Sequence, residues 1–469
     1  MAPLEVPPPR RGAGGSALIL VLWLMAILTL LLYAFLAEMQ VEYALAGGFA
    51  SEKRAEQLAW SAIDLACARL INETTPQHKL DDLWSHDPTD SFEVPLGEGA
   101  ITLVHPVYDE GNVAMRWGLE DEASKININY ATKEILLKLP RVTEEIADSI
   151  IDWRDQDSNA GPNGAETSYY QTLTPPYTCK NQPFETVEEL LLVRGVTAEI
   201  LYGEDMNLNG CLEPNENDGD KTLPRDNGDG RLDPGLYAFV TTVSSDTNQT
   251  NEGKQRVNIN TAMDQQLQQA GFTAAEASSI NMYRLTTMRS NPQQPPFPSV
   301  AHLLNIIPPK RFREVADACT VVEGNSVPGQ VNVNTAPKAV LLALPGITEE
   351  IAVKIMDYRT QPGADLSNIG WLTDAVQPKE LQEFALFITT RSQQFRIHAV
   401  GRLGTPYSGV GVTTPEEARP RPFKRMIAIF DKLSQPRPRL VYWKDATKLG
   451  MPYDPEEGPT PSSARVGSP

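Results

Sequence analysis

From Gly12 to Ala37 the chain carries no charge, and the core of that stretch reads SALILVLWLMAILTLLLYAFLA. Roughly 20 apolar residues cross a bilayer as one helix, so this segment is read as a membrane span. Arg10 and Arg11 precede it, and the first acids, Glu38 and Glu42, follow it. The positive-inside rule then puts the N-terminus in the cytoplasm and everything after about residue 38 on the far side. A cleaved secretory signal has a shorter apolar core with a small-residue site behind it. Here Gly14 and Gly15 stand in front of the run instead. Ala59, Ile63, Ala66, Cys67 and Leu70 keep helical spacing beyond the span, which predicts a helix that continues to about Leu70 and docks on a soluble domain. GAGGSA also fits a loose dinucleotide-binding pattern, but no strand precedes it and a membrane span follows.

The remainder is too long for one ordinary domain: 469 residues leave room for two or three packed units beside the anchor. A net charge of -19 argues against nucleic acid or an anionic membrane surface as partner. Cys67, Cys179, Cys211 and Cys319 lie far apart with no Cys-x-x-Cys pair. A thiolate zinc site has no local support, while one disulfide and scattered buried thiols both fit. The histidines, at 78, 86, 105, 302 and 398, lack metalloprotease spacing, and no nucleophile elbow or phosphate loop occurs. The expectation is a protein that is not an enzyme.

AITLVHPVY, an Asp-Glu-Gly-Asn turn and VAMRWGL predict a hairpin from Ala100 to Leu119. FRIHAVG, FKRMIAIFD and RLVYWKD, from Phe395, Phe423 and Arg439, predict three further strands. Between these halves lies an internal repeat. ININYATKEILLKLPRVTEEIADSIIDWR begins at Ile126 and VNVNTAPKAVLLALPGITEEIAVKIMDYR at Val331. A degenerate copy, VNINTAMDQQLQQAGFTAAEASSINMYR, begins at Val257, and VEELLLVRGVTAEIL from Val187 carries only a hairpin. Each full copy reads as an Asn-x-Asn cap, a helix, a tight turn and a second helix opened by Thr. LPGITEE is a helix-hairpin-helix signature in which Gly346 permits the turn and Thr348 caps the second helix. Such hairpins grip DNA phosphates through backbone amides, but Glu144, Glu145, Glu349 and Glu350 follow the turns here and repel phosphate, and Arg141 stands where glycine is expected.

Asp205 opens DMNLNGCLEPNE, which fits the EF-hand loop pattern. Oxygens for calcium would come from Asp205, Asn207, Asn209, the Cys211 carbonyl and Glu216, with Gly210 allowing the bend and Glu213 adding a direct or water-mediated contact. Pro214 argues against the exiting helix of a full EF-hand. Two further acidic runs offer weaker candidates: Asp226, Asp229 and Asp233 in DNGDGRLD, and Asp155, Asp157 and Glu166 in RDQDSNAGPNGAE.

A short basic leader, a glycine and an intact apolar helix resemble the signal of type IV pilins and pseudopilins. The resemblance implies cleavage by prepilin peptidase after Gly15, leaving Ser16 first, with Gly12 and Gly14 as the weaker alternatives. Most of that superfamily has Glu at the fifth mature position, where this chain has Leu20. Its absence, with a split sheet and inserted helix-hairpin-helix repeats, resembles the K-type minor pseudopilins of type II secretion. The fold expected is α+β: a transmembrane helix, a pilin-like antiparallel sheet and a large inserted α-helical region. The expected divisions are a leader at 1–15, the anchor helix at 16–70, the sheet at 71–118 and 391–445, the insert at 119–240, the extra repeat at 241–320, a helix-hairpin-helix domain at 321–390 and a disordered tail from 446. The resemblance also implies calcium in the insert and a place at the tip of a pseudopilus. Implied partners are the I- and J-type minor pseudopilins, the major pseudopilin and the inner-membrane assembly platform. A membrane-anchored DNA receptor of competence type is the alternative, and a calcium-dependent envelope adhesin the third reading.

Overall fold

The computed structural model describes residues 14–75, 77–109, 112–404, 421–433, 437–453 and 455. The leader up to residue 13, the centre of the 109–112 turn and the tail from 456 lie outside the described residues.

Helix α1 (Gly14–Asn72) runs without a break from the apolar segment into the folded body. Its first part is exposed along its length, and it is the one helix among the described residues long and apolar enough to cross a membrane. Its last part lies on a sheet. The strands are β1 (Val94–Leu96), β2 (Gly99–Asp109), β3 (Asn112–Arg116), β4 (Glu120–Asp121), β5 (Gln394–Leu403), β6 (Phe423–Asp431) and β7 (Arg439–Asp445). They pair antiparallel in the order β1-β2-β5-β6-β7, with β3 on β2 and β4 on β5. Two halves separated by some 270 residues of sequence therefore form one sheet.

The helix seats closely because small residues face each other. Ala55, Ala59, Ala62 and Ala66 are fully buried on one stripe of α1. Gly401 lies beneath them, where an added Cβ would come within 2.3 Å of the Ala59 amide nitrogen and 2.5 Å of the Ala55 carbonyl oxygen. Phe395, Ile397, Ala399, Met426, Ala428, Phe430, Ile101 and Leu103 close this core with Ile63 and Leu70.

The insert is three modules of one design, spanning 126–241, 257–320 and 331–389. Each begins with a two-residue strand paired in parallel with a two-residue strand at its end: Ile126 with Val240, Val257 with Cys319, Val331 with Ile388. Each continues with a helical hairpin: α2 (Lys133–Leu137) and α3 (Glu144–Arg154), α4 (Asp264–Gln269) and α5 (Ala274–Ser290), α6 (Lys338–Ala343) and α7 (Glu349–Arg359). The turns between them place Arg141 at φ 64°, Gly271 at 101° and Gly346 at 70°. Only glycine takes this region without steric cost, so Arg141 occupies it under strain, its guanidinium bonded to Glu199 O at 3.0 Å. Thr143, Thr273 and Thr348 cap the second helices.

The Asn-x-Asn segments do not cap the first helices, which are capped at Thr132, Met263 and Pro337. The second asparagine instead ties the start of its module to the segment that opens the second hairpin. Asn129 exchanges two hydrogen bonds with the Phe184 backbone at 2.7 and 3.0 Å, and Asn260 does the same with Phe297 at 2.9 and 3.0 Å. Asn334 donates to Leu366 O and accepts from the Trp371 indole. An arginine from each second helix, Arg154, Arg284 or Arg359, satisfies two carbonyls of the first turn.

Each module also has a second hairpin. The one at Val187–Leu192 and Ala198–Tyr202 was legible in sequence. Its counterparts, Val300–Asn305 with Pro309–Val315 and Ile369–Asp374 with Pro378–Phe384, were not. Ordered chain also extends past residue 445, where a disordered tail is expected from composition. Ala446 is buried, Thr447–Leu449 forms a short turn of helix, and the Tyr453 hydroxyl bonds Glu93 and Thr102 at 2.8 Å each. The four cysteines form no disulfide.

Candidate functional site

The face of the sheet turned away from α1 carries charge. Alternation along β5 directs Arg396, His398 and Arg402 to that side, and β6 adds Arg425. All four are buried. Arg396 pairs with the fully buried Glu122, lies 3.9 Å from Glu120, and covers the Tyr237 ring at 5.0 Å. Lys125 reaches Glu120 at 2.9 Å, and Arg402 pairs with Glu93. Charges taken out of water persist only when paired and hydrogen-bonded, so this face is specific for the first module and the 446–453 segment that cover it.

Beside it lies the Asp205 loop, wound on its own side chains. Asp205 accepts from the Asn209 and Gly210 amides at 2.9 and 3.0 Å, Asn207 from Asn209, and Asn209 from Cys211 at 2.7 Å. Gly210 sits at φ 64°, the bend that an EF-hand loop needs at its sixth position. Pro214–Glu216 makes a single 3-10 turn where an EF-hand would exit into a helix. Glu213 is held by the side-chain amides of Asn207 and Asn209 at 3.1 and 3.0 Å. Glu216 is buried and bonded to the Glu213 amide at 3.0 Å. Burial, with Asp205, Glu213 and Glu204 near it, pushes the Glu216 carboxyl up to about 8, and burial raises Asp205 and Glu204 as well. Glu204, which the loop pattern does not include, bonds the Asp233 amide at 2.8 Å and joins this loop to the next.

In that next run the acids serve as turn caps. Asp226 accepts from the Gly219, Gly228 and Asp218 amides, Asp229 from Arg231 and Asp233 from the Asn227 side chain. Asp226, Asp229 and Asp233 are not gathered into one group. Asp155, Asp157 and Glu166 are: their ligand oxygens lie within 4.8 Å of one another, the one such group among the described residues. Asp155 Oδ1 and the buried Glu166 Oε1 have no hydrogen-bond partner. Asn181 Oδ1 also lacks one, while its amide nitrogen holds the Asp157 carbonyl. Burial, then the charge of Asp157, raises the Asp155 carboxyl. Orphaned buried oxygens of this kind fit a hard divalent cation.

The hairpin turns of the first and third modules are flanked by acid. Glu144 is 2.7 Å from Lys133 and Glu349 pairs with Lys338, so the carboxylates after the turns are fixed in place.

Comparison with known proteins agrees with this architecture. A family model described as type II secretion system protein K matches residues 127–202, the first module, and one for the helix-hairpin-helix motif matches 328–388, the third. Type II secretion system protein K of Aeromonas hydrophila is 28% identical over 205 residues, 41% of this chain and 62% of that protein. Over these spans the chain is similar to type II secretion system protein K. The Pseudomonas aeruginosa protein K is 26% identical over 202 residues, 39% of this chain and 58% of that protein. The chain thus spans about three fifths of the curated relatives' length. The crystal structure of the GspK-GspI-GspJ complex from enterotoxigenic Escherichia coli superposes over 87% of this chain and 98% of that one, with 15% identity and a TM-score of 0.39.

Proposed function

We propose that this chain is a minor pseudopilin of a type II secretion system, structural rather than catalytic, that nucleates or caps the tip of the pseudopilus. The observation that carries the reading is the course of α1: an exposed apolar span that continues into the helix seated on the sheet, with a family-matched insert on the opposite face. Prepilin peptidase removes residues 1–15, leaving the helix in the inner membrane, its N-terminus cytoplasmic and the folded body in the periplasm. The α1 helix joins the fibre bundle with the I- and J-type minor pseudopilins and the major pseudopilin above the assembly platform. The bulk of three modules stops further subunits from stacking. Cysteine crosslinking from α1 positions such as Tyr43 or Phe49, both exposed, tests this. Products with I- or J-type partners in secreting cells are expected, and crosslinks to neither would reject the tip assignment.

Calcium belongs to the same proposal. Asp155, Asp157 and Glu166 form one seat, and Asp205, Asn207, Asn209 and Glu216 another. The bound ion would supply positive charge among carboxylates that are otherwise desolvated together. Ligand binding to the folded state stabilises it by an amount that grows with the logarithm of free ligand over its dissociation constant. Glu166→Gln and Glu216→Gln should therefore each lower the melting temperature in calcium and leave it unchanged in chelator. Equal melting of the wild type in calcium and chelator would reject a structural ion.

A further inference from the structure

Where α1 leaves the sheet, its last turn closes one side of a cavity of about 400 Å³. Leu70, Ile71 and Glu73 to Thr75 form that side; Gln393, just before β5, and Lys432, Arg437 and Pro438, between β6 and β7, form the other. The two cations are not cancelled. Lys432 donates its ammonium to the Glu73 carbonyl at 2.8 Å, a neutral acceptor. Arg437 is exposed and has no hydrogen-bond or ion-pair partner among the described residues. Glu73, the one carboxylate on the wall, is turned to its own chain, accepting from the Thr75 amide at 2.9 Å and from the Thr75 hydroxyl. His78 completes the lining and is 1% exposed. Its Nδ1 accepts from the Ser392 amide at 3.2 Å, which puts the ring proton on Nε2, and that Nε2 has no hydrogen-bond partner. Burial, then the charges of Lys432 and Arg391, hold the imidazole down to about 3, so it is a neutral donor at neutral pH. A buried donor without an acceptor is costly. Three donors, two of them charged, thus surround a space whose own carboxylate is engaged elsewhere.

We propose that this cavity binds a carboxylate carried on a small apolar body, the chemistry of a peptide's C-terminal residue. The carboxylate pairs with Lys432 and Arg437, whose planar guanidinium can take both oxygens, and supplies the acceptor that His78 lacks. The apolar body lies on Leu70, Ile71 and Pro438. The volume falls within the roughly 300–1,000 Å³ of small-molecule sites and exceeds what a bare ion fills. The site uses none of the residues assigned to calcium.

The test uses the full chain in detergent micelles at neutral pH, titrated calorimetrically with N-acetyl-L-leucine, its amide and inorganic phosphate. The acid should bind, and the amide should bind at least about tenfold more weakly, because it loses the charge-assisted hydrogen bonds. Arg437→Gln and Lys432→Met should each weaken the acid by about tenfold or more on the same ground. Lys432→Met also removes a bond to the end of α1, so Arg437→Gln, at an exposed side chain with no partner to lose, is the decisive variant and should keep the wild-type melting temperature. Phosphate should bind more weakly than the acid, since it leaves the apolar wall uncovered. No binding of the acid, equal affinity for acid and amide, or an acid affinity unchanged in Arg437→Gln would overturn the site. Phosphate binding as tightly as the acid would overturn the assignment of a carboxylate on an apolar body.

Discussion

The two faces of β5 and β6 are made by alternate residues of the same strands and have opposite chemistry. Toward α1 the residues are Phe395, Ile397, Ala399, Met426, Ala428 and Phe430, a dry surface shaped for a helix of alanines. Toward the insert they are Arg396, His398 and Arg425, buried among Glu122, Tyr237 and loop carbonyls. The apolar face gains stability from area and fit and accepts any well-shaped apolar partner. The charged face is costly unless each group meets its own partner, so it selects one insert in one orientation.

The largest effect is expected on the charged face. Arg396→Met strands Glu122, which is fully buried, and should cost about 3–5 kcal/mol by urea unfolding. Adding Glu122→Gln should recover much of it. If the single variant is as stable as the double, the pair does not act as a unit. On the apolar face, Gly401→Val drives a side chain into the backbone of α1 and should cost about 1–3 kcal/mol, as overpacking does. An unchanged midpoint would mean that the helix is not clamped as described. Urea titrations in micelles read both.

Acid should weaken the charged face through His398, while His78 and His105, also buried and held down to about 3, add to the loss elsewhere. His398 is fully buried, and burial with the charges of Arg425 and Arg396, and of His105 and Lys125 beyond them, holds its pKa well below the ordinary value. The unfolded imidazole gains a proton near pH 6.5 and the folded one does not. Its contribution is thus complete above about 6.5 and falls by up to about 1.4 kcal/mol per pH unit below that. Asp121 works the other way over the lower part of this range, because burial raises its carboxyl to about 6 and its folded form takes up a proton first. His398→Gln should flatten the loss between pH 6.5 and 5, and a profile with the wild-type slope would exclude this histidine as its source. The smallest effect is expected at the rim. Lys444 pairs with Glu188 where both are about one quarter exposed, and Lys444→Met should cost about 1 kcal/mol or less in the same unfolding assay. A loss as large as that of Arg396→Met would make the rim part of the interface core.

The sequence discloses these faces unequally. The alanine stripe of α1, the strands from Phe395, Phe423 and Arg439, and the repeated hairpins all carry a period, and periods survive without a structure. Arg396 and Glu122 are 274 positions apart, and each alone reads as an ordinary surface charge. The second hairpins of the later modules are not legible from turn chemistry, because their turns, at Pro308-Pro309 and Gln377-Pro378, carry no glycine. The spacing shared by FETVEEL, FPSVAHL and LSNIGWL was the available signal. The Asp205 loop was recognisable as a pattern. The closeness of Asp155, Asp157 and Glu166 depends on the chain returning to residue 166 after a loop with no fixed spacing, and only the fold shows it.

The central claim is that α1 is both membrane anchor and fibre helix, and the mature N-terminus tests it most directly. Mass spectrometry of the N-terminal peptide from membrane-purified protein should find a chain beginning at Ser16 with the apolar run intact. A chain beginning at Met1, or one cut beyond Ala37, would contradict the assignment.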